Sequence, residues 1–195
     1  EEVVRAVLLQ AAGLHAPEDV SIGAVVGPAE AANWDWLKWL PHTMPTFSPV
    51  TAELLADNLD TTAALITALE ELIDARLSEA RSEDLAFRNR ILLLVSNNAV
   101  ADRSRLVGIA ERGPAAGIHV VWTAREIAQV PAAAKVFVVI DNKDQVTAGF
   151  VEEARSVPGV GVEKVDVQRA RRAARSLAPG RPGSRAHAHV TPCGG

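Results

Sequence analysis

The chain has 195 residues, 48% of them hydrophobic and 23% charged, and this composition excludes the class of intrinsically disordered proteins. No apolar run approaches the roughly 20 residues that a bilayer-spanning helix needs, which argues against membrane insertion by this chain. A single cysteine, Cys193, excludes an internal disulfide and a cysteine metal cluster and favours a cytosolic setting.

The first predicted element is an amphipathic helix over residues 1–13. Its apolar residues recur at the spacing of one helix face, and Gly13 is expected to end it. The stretch SIGAVV, residues 21–26, then predicts a short buried strand that Gly27 and Pro28 end. Because the helical pattern starts at the first residues, we expect the chain to be cut from a longer polypeptide.

A second helix is predicted over residues 61–80, with threonines at its start. Its apolar residues lie along one stripe, and acidic residues and arginines occupy the remaining circumference. The stripe consists of Leu65, Leu69, Leu72, Ile73 and Leu77.

Four apolar stretches of strand length follow in the second half of the chain: RILLLV, GIHVVWT, KVFVVI and VGVEKV. The segments DRSRLVGIAER and GFVEEARSV between them have helical spacing. Strands that are apolar throughout belong in a sheet covered on both faces, so the predicted fold is α/β, a mostly parallel sheet with helices on both faces. We expect one domain over residues 1–178 and a linker or disordered tail over 179–195.

Charge is distributed unevenly along the chain, whose formal net charge is −4. The stretch Glu70 to Asp84 is mostly acidic, whereas the segment after Asp166 contains six arginines and no acidic residue. A solvated helix face explains such a run, and a nucleic-acid or acidic-lipid surface is the alternative. The arginines are Arg169, Arg171, Arg172, Arg175, Arg181 and Arg185.

The chain lacks the motifs that bind phosphates in α/β proteins. A P-loop requires a lysine directly after a glycine, and none of Lys38, Lys135, Lys143 and Lys164 meets this condition. The dinucleotide motif with three glycines is also absent, since the Gly-x-Gly at Gly159 is better explained by a turn. This sequence therefore contains no standard nucleotide-binding loop.

The strand ILLLV resembles the second strand of P-loop ATPases but ends in Ser96, Asn97 and Asn98. Hydroxyls and amides are poor magnesium ligands compared with carboxylates, and none of them acts as a general base near neutral pH. An Asn-rich turn before the next helix explains these residues equally well. Thr123 and Arg125, after the following strand, occupy a position that could sense a phosphate, or they are a helix cap and a surface arginine.

Other polar residues do not form a catalytic group. His119 is expected to be a structural strand residue, Asp141 and Asp144 fit a turn, and His187 and His189 are too sparse for a metal site. We therefore predict no catalytic residue and no metal site.

The stretch WDWLKWLPH, from Trp34 to His42, contains three of the four tryptophans. On an α-helix its apolar side chains cover an arc of roughly 220°, leaving Asp35 and Lys38 as an exposed pair of opposite charge. A helix this apolar should lie between two partners and end at Pro41. Either both partners lie inside the domain, or a tryptophan faces a neighbouring domain. The predicted interface consists of Trp34, Trp36, Trp39, Pro41 and His42.

Together with HAPEDV, RGPAAGIHVVWTAR and ARRAARSLAP, this motif resembles the EccC/EssC branch of the FtsK/SpoIIIE translocases, the large membrane ATPases of type VII (ESX) secretion. The resemblance runs from about Val3 to Pro179. It is to the domain of unknown function between that family's transmembrane pair and its first full ATPase module. The resemblance implies a RecA-like, P-loop-like fold without a P-loop. In that family the strand tip often keeps an acidic residue, and here Ser96, Asn97 and Asn98 replace it.

The resemblance further implies a non-catalytic module that couples neighbouring ATPase modules to the membrane channel. It implies no cofactor for this chain, ATP and magnesium in the neighbouring modules, and a location on the cytoplasmic side of the cell membrane. Expected partners are the adjacent ATPase module of the same polypeptide and the channel components, with a hexamer in the parent protein. The alternatives are a module of an FtsK/SpoIIIE DNA translocase or conjugation pump, whose arginine-rich end would contact phosphates, and a free-standing nucleotide-binding enzyme.

Overall fold

A computed structural model of the chain describes residues 1–79, 87, 89–141 and 143–178. The helices are α1 (Glu2–Leu14), α2 (Ala31–Trp34), α3 (Leu59–Glu79), α4 (Arg103–Arg112) and α5 (Val167–Leu177). The strands are β1 (Val20–Val25), β2 (Leu55–Ala56), β3 (Arg90–Val95), β4 (Ile118–Trp122), β5 (Val136–Ile140), β6 (Val146–Phe150) and β7 (Arg155–Pro158). Short 3₁₀ segments cover Asp35–Trp39, Pro41–Thr43, Gly113–Ala116 and Ile127–Gln129.

The main sheet has four parallel strands in the order β2-β1-β3-β4. The predicted strands SIGAVV, RILLLV and GIHVVWT form its three long members. β1 and β3 pair over their full length, from Val20 opposite Arg90 to Val25 opposite Val95. The predicted parallel α/β fold is therefore confirmed.

Helices cover both faces of this sheet. Successive strand residues point to opposite faces, so a strand that is apolar throughout presents apolar side chains to both. One face, which includes Val25, Leu93 and Val95, packs against α3 and α4. The other face, which includes Ile22 and Leu94, packs against α1, α5 and the tryptophan segment. The sheet is therefore buried as its uniformly apolar strands predict.

The helix α3 forms with the predicted apolar stripe on its buried side. Leu65, Leu69 and Ile73 are buried, and Leu72 and Leu77 pack partly buried against the same cluster. The N-terminus is capped by Asn58, whose Oδ1 accepts hydrogen bonds from the backbone of Asp60 and Thr61, and not by the predicted threonines. The helix α4 also forms; it begins at Arg103, one residue after the start of the predicted stretch DRSRLVGIAER.

The predicted elements after β4 are largely wrong. The stretch KVFVVI forms β5, but β5 belongs to a separate antiparallel sheet in the order β5-β6-β7. Residues 149–157, predicted as a helix, contain the end of β6, a turn and the start of β7, and VGVEKV forms no strand. The physical reason is visible in β5, where exposed Val136, Val138 and Ile140 alternate with half-buried residues, the pattern of a sheet with one solvated face.

Two boundaries also differ from the predictions. Gly13 does not end α1, which continues through Leu14. The predicted tail, residues 179–195 with Cys193, His187 and His189, lies outside the described residues, and the domain boundary at 178 stays a prediction. Within the described part of the chain, no helix is both long enough and apolar enough to cross a membrane.

Candidate functional site

The carboxyl ends of β1, β3 and β4 meet at one edge of the main sheet, where parallel α/β folds bind their ligands. Ser96, directly after β3, is buried, and its Oγ accepts a hydrogen bond from the backbone N–H of Gly27 at 3.2 Å. The backbone N–H of Ser96 donates to the carbonyl of Val25 at 3.0 Å. The hydroxyl of Ser96 therefore ties the loop after β1 to the tip of β3.

Asn98 and Glu30 form a second connection between the loop after β1 and the loop after β3. The Nδ2 of Asn98 donates to Oε1 of Glu30 at 2.6 Å. A β carbon on Gly27 would lie 2.3 Å from the carbonyl oxygen of Asn98, so the two backbones are in direct contact. The loop after β1 is therefore packed against the tip of β3.

The tip of β4 joins this arrangement through Thr123. Its Oγ1 accepts a hydrogen bond from the backbone N–H of Asn97 at 3.2 Å, and its own N–H donates to the carbonyl of Val95 at 2.9 Å. Four of the five residues predicted near a nucleotide site are thus brought together. We call these groups the strand-tip network: Gly27, Glu30, Ser96, Asn97, Asn98 and Thr123.

Arg125 remains apart from the strand-tip network. Its backbone N–H donates to the Gln129 side chain at 3.1 Å, and within the described ranges no hydrogen bond joins its own side chain to the network. Glu30 was missed by the sequence analysis, because it follows β1 and not the Walker B-like strand. In the sequence, only its position in the loop after a predicted strand could have indicated Glu30 as a site residue.

The network offers little for nucleotide chemistry. It contains one carboxylate and no lysine. Its two hydroxyls accept hydrogen bonds from the backbone N–H groups of Gly27 and Asn97, and the Asn98 amide donates to Glu30. In the described residues no three or more His, Cys, Asp or Glu side chains are grouped so that they could hold a metal ion. An arrangement of this kind connects the ends of the three strands.

The tryptophan segment is not the single α-helix that we predicted. The four-residue helix α2 ends at Trp34, and Asp35–Trp39 continues as a 3₁₀ helix. Asp35 and Lys38 form the predicted ion pair. The helical segment ends before Pro41, which begins the next 3₁₀ turn.

Three of the five predicted interface residues lie inside the domain, which corrects the prediction for their side chains. Trp36 is fully buried, Trp34 is 3% exposed and His42 is 2% exposed, with its Nε2 placed 2.9 Å from the carbonyl oxygen of His15. The two partners between which the segment lies are the main sheet and the helix α5, both internal. Only Trp39 and Pro41 remain accessible, so an interface role stays a prediction for these two.

Two positively charged side chains lie close to the ring of Trp39. The guanidinium carbon of Arg175 lies 5.1 Å and Nζ of Lys38 lies 5.9 Å from the ring centroid. Trp39 is 39% exposed, and α5 packs along this segment through the buried methyl groups of Ala170 and Ala174. The contact joins the last described helix to the tryptophan motif by a cation–π interaction and a small apolar seam.

A cavity of about 300 Å³ lies beside this contact. Its apolar lining comes from β1, β2 and the tryptophan segment, and four charged side chains line it as well: Asp35, Lys38, Asp57 and Arg171. Both signs of charge are present, so the cavity does not select an anion or a cation by charge alone.

Of the four arginines of α5, Arg169 and Arg172 are exposed, Arg171 is half-buried in the cavity lining, and Arg175 lies over the ring of Trp39. Among the described residues, no ion pair involves Arg169, Arg171, Arg172 or Arg175. Asp166 caps the helix by accepting a hydrogen bond from the backbone N–H of Arg169 at 2.8 Å. Backbone hydrogen bonds from Arg169 and Gln168 and the charges of Arg169 and Arg172 lower the pKa of Asp166.

A four-stranded parallel sheet covered on both faces, with a polar network at the carboxyl ends of its strands, defines an α/β domain. The structure is similar to EssC (ATPases 2 and 3) from Geobacillus thermodenitrificans, with a TM-score of 0.65 and 15% sequence identity. The match covers 89% of this chain and 40% of that chain. The predicted fold class is thereby confirmed.

The sequence is similar to EccC proteins of ESX secretion systems. It is 50% identical over 40 residues to the ESX-4 secretion system protein EccC4 of Mycobacterium tuberculosis, a match that covers 20% of this chain and 3% of the relative. It is 40% identical over 42 residues to EccC of Thermomonospora curvata, covering 22% and 3%. It is 25% identical over 114 residues to EccC of Geobacillus thermodenitrificans, covering 58% and 8%.

These relatives confirm the resemblance to the EccC/EssC ATPases at the level of one domain. No protein-family model matches the chain. The matched segments span less than a tenth of the length of each relative.

Proposed function

We propose that the chain is a non-catalytic, ATPase-like module of an EccC/EssC-type secretion motor. It would couple neighbouring ATPase modules to the membrane channel through its surfaces and not through chemistry of its own. The named relatives support a module of this motor, and the strand-tip network supports the non-catalytic role. ATP and magnesium would be bound by the neighbouring modules, and the module would lie on the cytoplasmic side of the cell membrane.

The observation that carries this proposal is the contact between Gly27 and Asn98. A nucleotide phosphate needs free backbone N–H groups and space in the loop after a strand. Here the N–H of Gly27 already donates to Ser96, and the loop lies against the carbonyl of Asn98. Binding a phosphate at this position would require both contacts to break.

Coupling requires a surface that a neighbouring module can contact. Trp39, with Arg175 and Lys38 over its ring, is the accessible part of the tryptophan motif, and aromatic and arginine side chains dominate the energetics of protein interfaces. The expected partners are the adjacent ATPase module of the same polypeptide and channel components, in a hexameric parent. Such coupling needs two arrangements of this contact that nucleotide binding next door biases.

Two measurements on the purified chain test the proposal. Incubation with ATP and magnesium should give no turnover above the protein-free rate; turnover that Ser96→Ala abolishes would overturn the non-catalytic role. Titration with the adjacent ATPase module by calorimetry should detect binding that Trp39→Ala weakens about tenfold or more. Leu14→Ala, which alters an apolar residue that is 79% exposed elsewhere, is the matched control and should bind normally.

The arginines of α5, which form no ion pair among the described residues, favour a second candidate function, a module of a DNA translocase. Cations that neutralise phosphates release counterions, so such binding falls steeply with salt. Duplex DNA binding that is lost between low and physiological salt, and reduced by Arg172→Gln, would support this alternative. Unchanged mobility of DNA at low salt would remove it.

A further inference from the structure

Strand β4 lies at one edge of the main sheet, with β3 as its neighbour on one side. The backbone N–H of Thr123 donates to Val95, and the N–H of Ile91 donates to Gly117. Since alternate residues of a parallel strand bond to the same neighbour, residues 117, 119, 121 and 123 face β3. The backbone groups of Ile118, Val120 and Trp122 therefore point away from the sheet.

The outward groups of β4 are only partly covered. The carbonyl oxygen of Ile118 lies against Gly113, where an added β carbon would be 2.8 Å from it. Within the part of the chain that the structure describes, the outward backbone groups of Val120 and Trp122 have no hydrogen-bond partner. An unpaired backbone group of this kind is a template for another strand.

Natural edge strands are usually very short, or carry a charge, a proline or a bulge that blocks further pairing, or are covered by a helix or loop. The opposite edge strand, β2, has two residues and follows this rule. β4 has five residues, Ile-His-Val-Val-Trp, and pairs without a bulge from Ile118 to Trp122. Its apolar composition is that of an interior strand of a parallel sheet.

We propose that β4 is an interior strand of a wider sheet and pairs with a fifth, parallel strand supplied by another segment of a longer polypeptide. This occupant is favoured because the relatives extend far beyond the matched segments, which make up 3% to 8% of their length. A parallel strand also continues the existing ladder in its own direction, whereas a second copy related by a two-fold axis would pair antiparallel. The inference does not depend on the secretion role, because it is argued from the backbone of β4 and from the length of the relatives.

Two proline substitutions distinguish an edge strand from an interior one. Val120→Pro removes an N–H that points outward, so this chain alone should tolerate it, as edge strands tolerate proline. Val121→Pro removes an N–H that bonds to β3, so it should lower the melting temperature both in this chain alone and in the complete polypeptide. In the polypeptide of the complete reading frame, Val120→Pro should lower the melting temperature of this domain about as much as Val121→Pro does.

Hydrogen exchange gives the second readout on unmodified protein. The amides of Val120 and Trp122 should exchange at least about tenfold more slowly in the complete polypeptide than in the 195-residue chain. Equal exchange in the two proteins, or tolerance of Val120→Pro in both, overturns the proposal. Protection in the short chain that rises with its concentration identifies a second copy as the occupant and overturns it as well.

Discussion

Gly27 and Asn98 touch across the tips of β1 and β3, at a distance that leaves no room for a side chain on residue 27. The loop after β1 is thus packed directly against the residues that follow β3. It also makes residue 27 sensitive to substitution, because the neighbouring atoms are backbone and cannot move aside easily.

Gly27→Ala should therefore destabilise the domain by about 1 to 3 kcal/mol, the cost of overpacking a close contact. Denaturant unfolding measures the change. The matched control is Gly108→Ala within α4, where an added β carbon meets nothing within 4 Å. This change should stabilise the domain by about 0.5 to 1 kcal/mol, because alanine is the better helix former. Similar losses for both variants would contradict the contact.

Ser96→Ala should cost about 1 to 3 kcal/mol, since it leaves the buried N–H of Gly27 without its acceptor. Ser96→Thr keeps the hydroxyl and separates the lost hydrogen bond from the effect of side-chain volume. Unfolding of both variants in urea measures the difference. If alanine and threonine are equally harmless, the hydroxyl does not connect the two loops.

Trp36→Ala should lower stability by about 3 to 5 kcal/mol, the range for truncating a large buried side chain. Trp39→Ala should cost less than about 2 kcal/mol, since its ring is 39% exposed and loses mainly the cation–π contacts with Arg175 and Lys38. Thermal and denaturant unfolding rank the two. The reverse order would show that Trp39, and not Trp36, occupies the core.

Stability should fall in acid through the two aspartates that cap α4 and α5. Hydrogen bonds from the Ser104 side chain and backbone lower the pKa of Asp102, and those from Arg169 and Gln168 lower the pKa of Asp166. A carboxylate whose folded pKa is depressed stabilises the fold above its unfolded pKa of about 3.9, and this contribution is lost as the pH falls through the lower folded value.

The double variant Asp102→Asn with Asp166→Asn tests this pH dependence. Asparagine also caps helices but does not titrate in this range, so the melting temperature of the variant should change less below about pH 4. Circular dichroism melts from neutral pH into acid provide the measurement. Parallel curves for the variant and the natural chain would assign the acid loss to other groups.

Periodicity predicted the elements around which the core forms, because their burial pattern is local. The spacing of Leu65, Leu69 and Ile73 indicated a helix with one buried side, and the unbroken apolar run of β3 indicated a strand covered on both faces. The same reasoning failed for β5, whose apolar residues are equally continuous in sequence. Their exposure depends on whether another layer covers that face of the sheet, which a short apolar run does not reveal.

The candidate site likewise contains some residues that the sequence indicated and others that it did not. The sequence indicated that Ser96, Asn97, Asn98 and Thr123 follow neighbouring strands, and parallel strands place such ends together. It did not indicate Glu30, which reaches Asn98 across 68 positions of the chain. It also left open whether Trp36 is internal or at an interface, because the helical wheel shows how much apolar surface exists but not which layers cover it.

What the sequence by itself determined is the parallel α/β class, the lack of a standard phosphate loop and the resemblance carried by Trp34 to His42. Each of these follows from local composition and spacing. Only the tertiary structure decided that the loop after β1 closes on the tip of β3, that Trp36 is internal while Trp39 is accessible, and that β4 has an unpaired edge. These properties depend on contacts between segments far apart in the chain, and such contacts are selected by packing and hydrogen bonding of the whole fold.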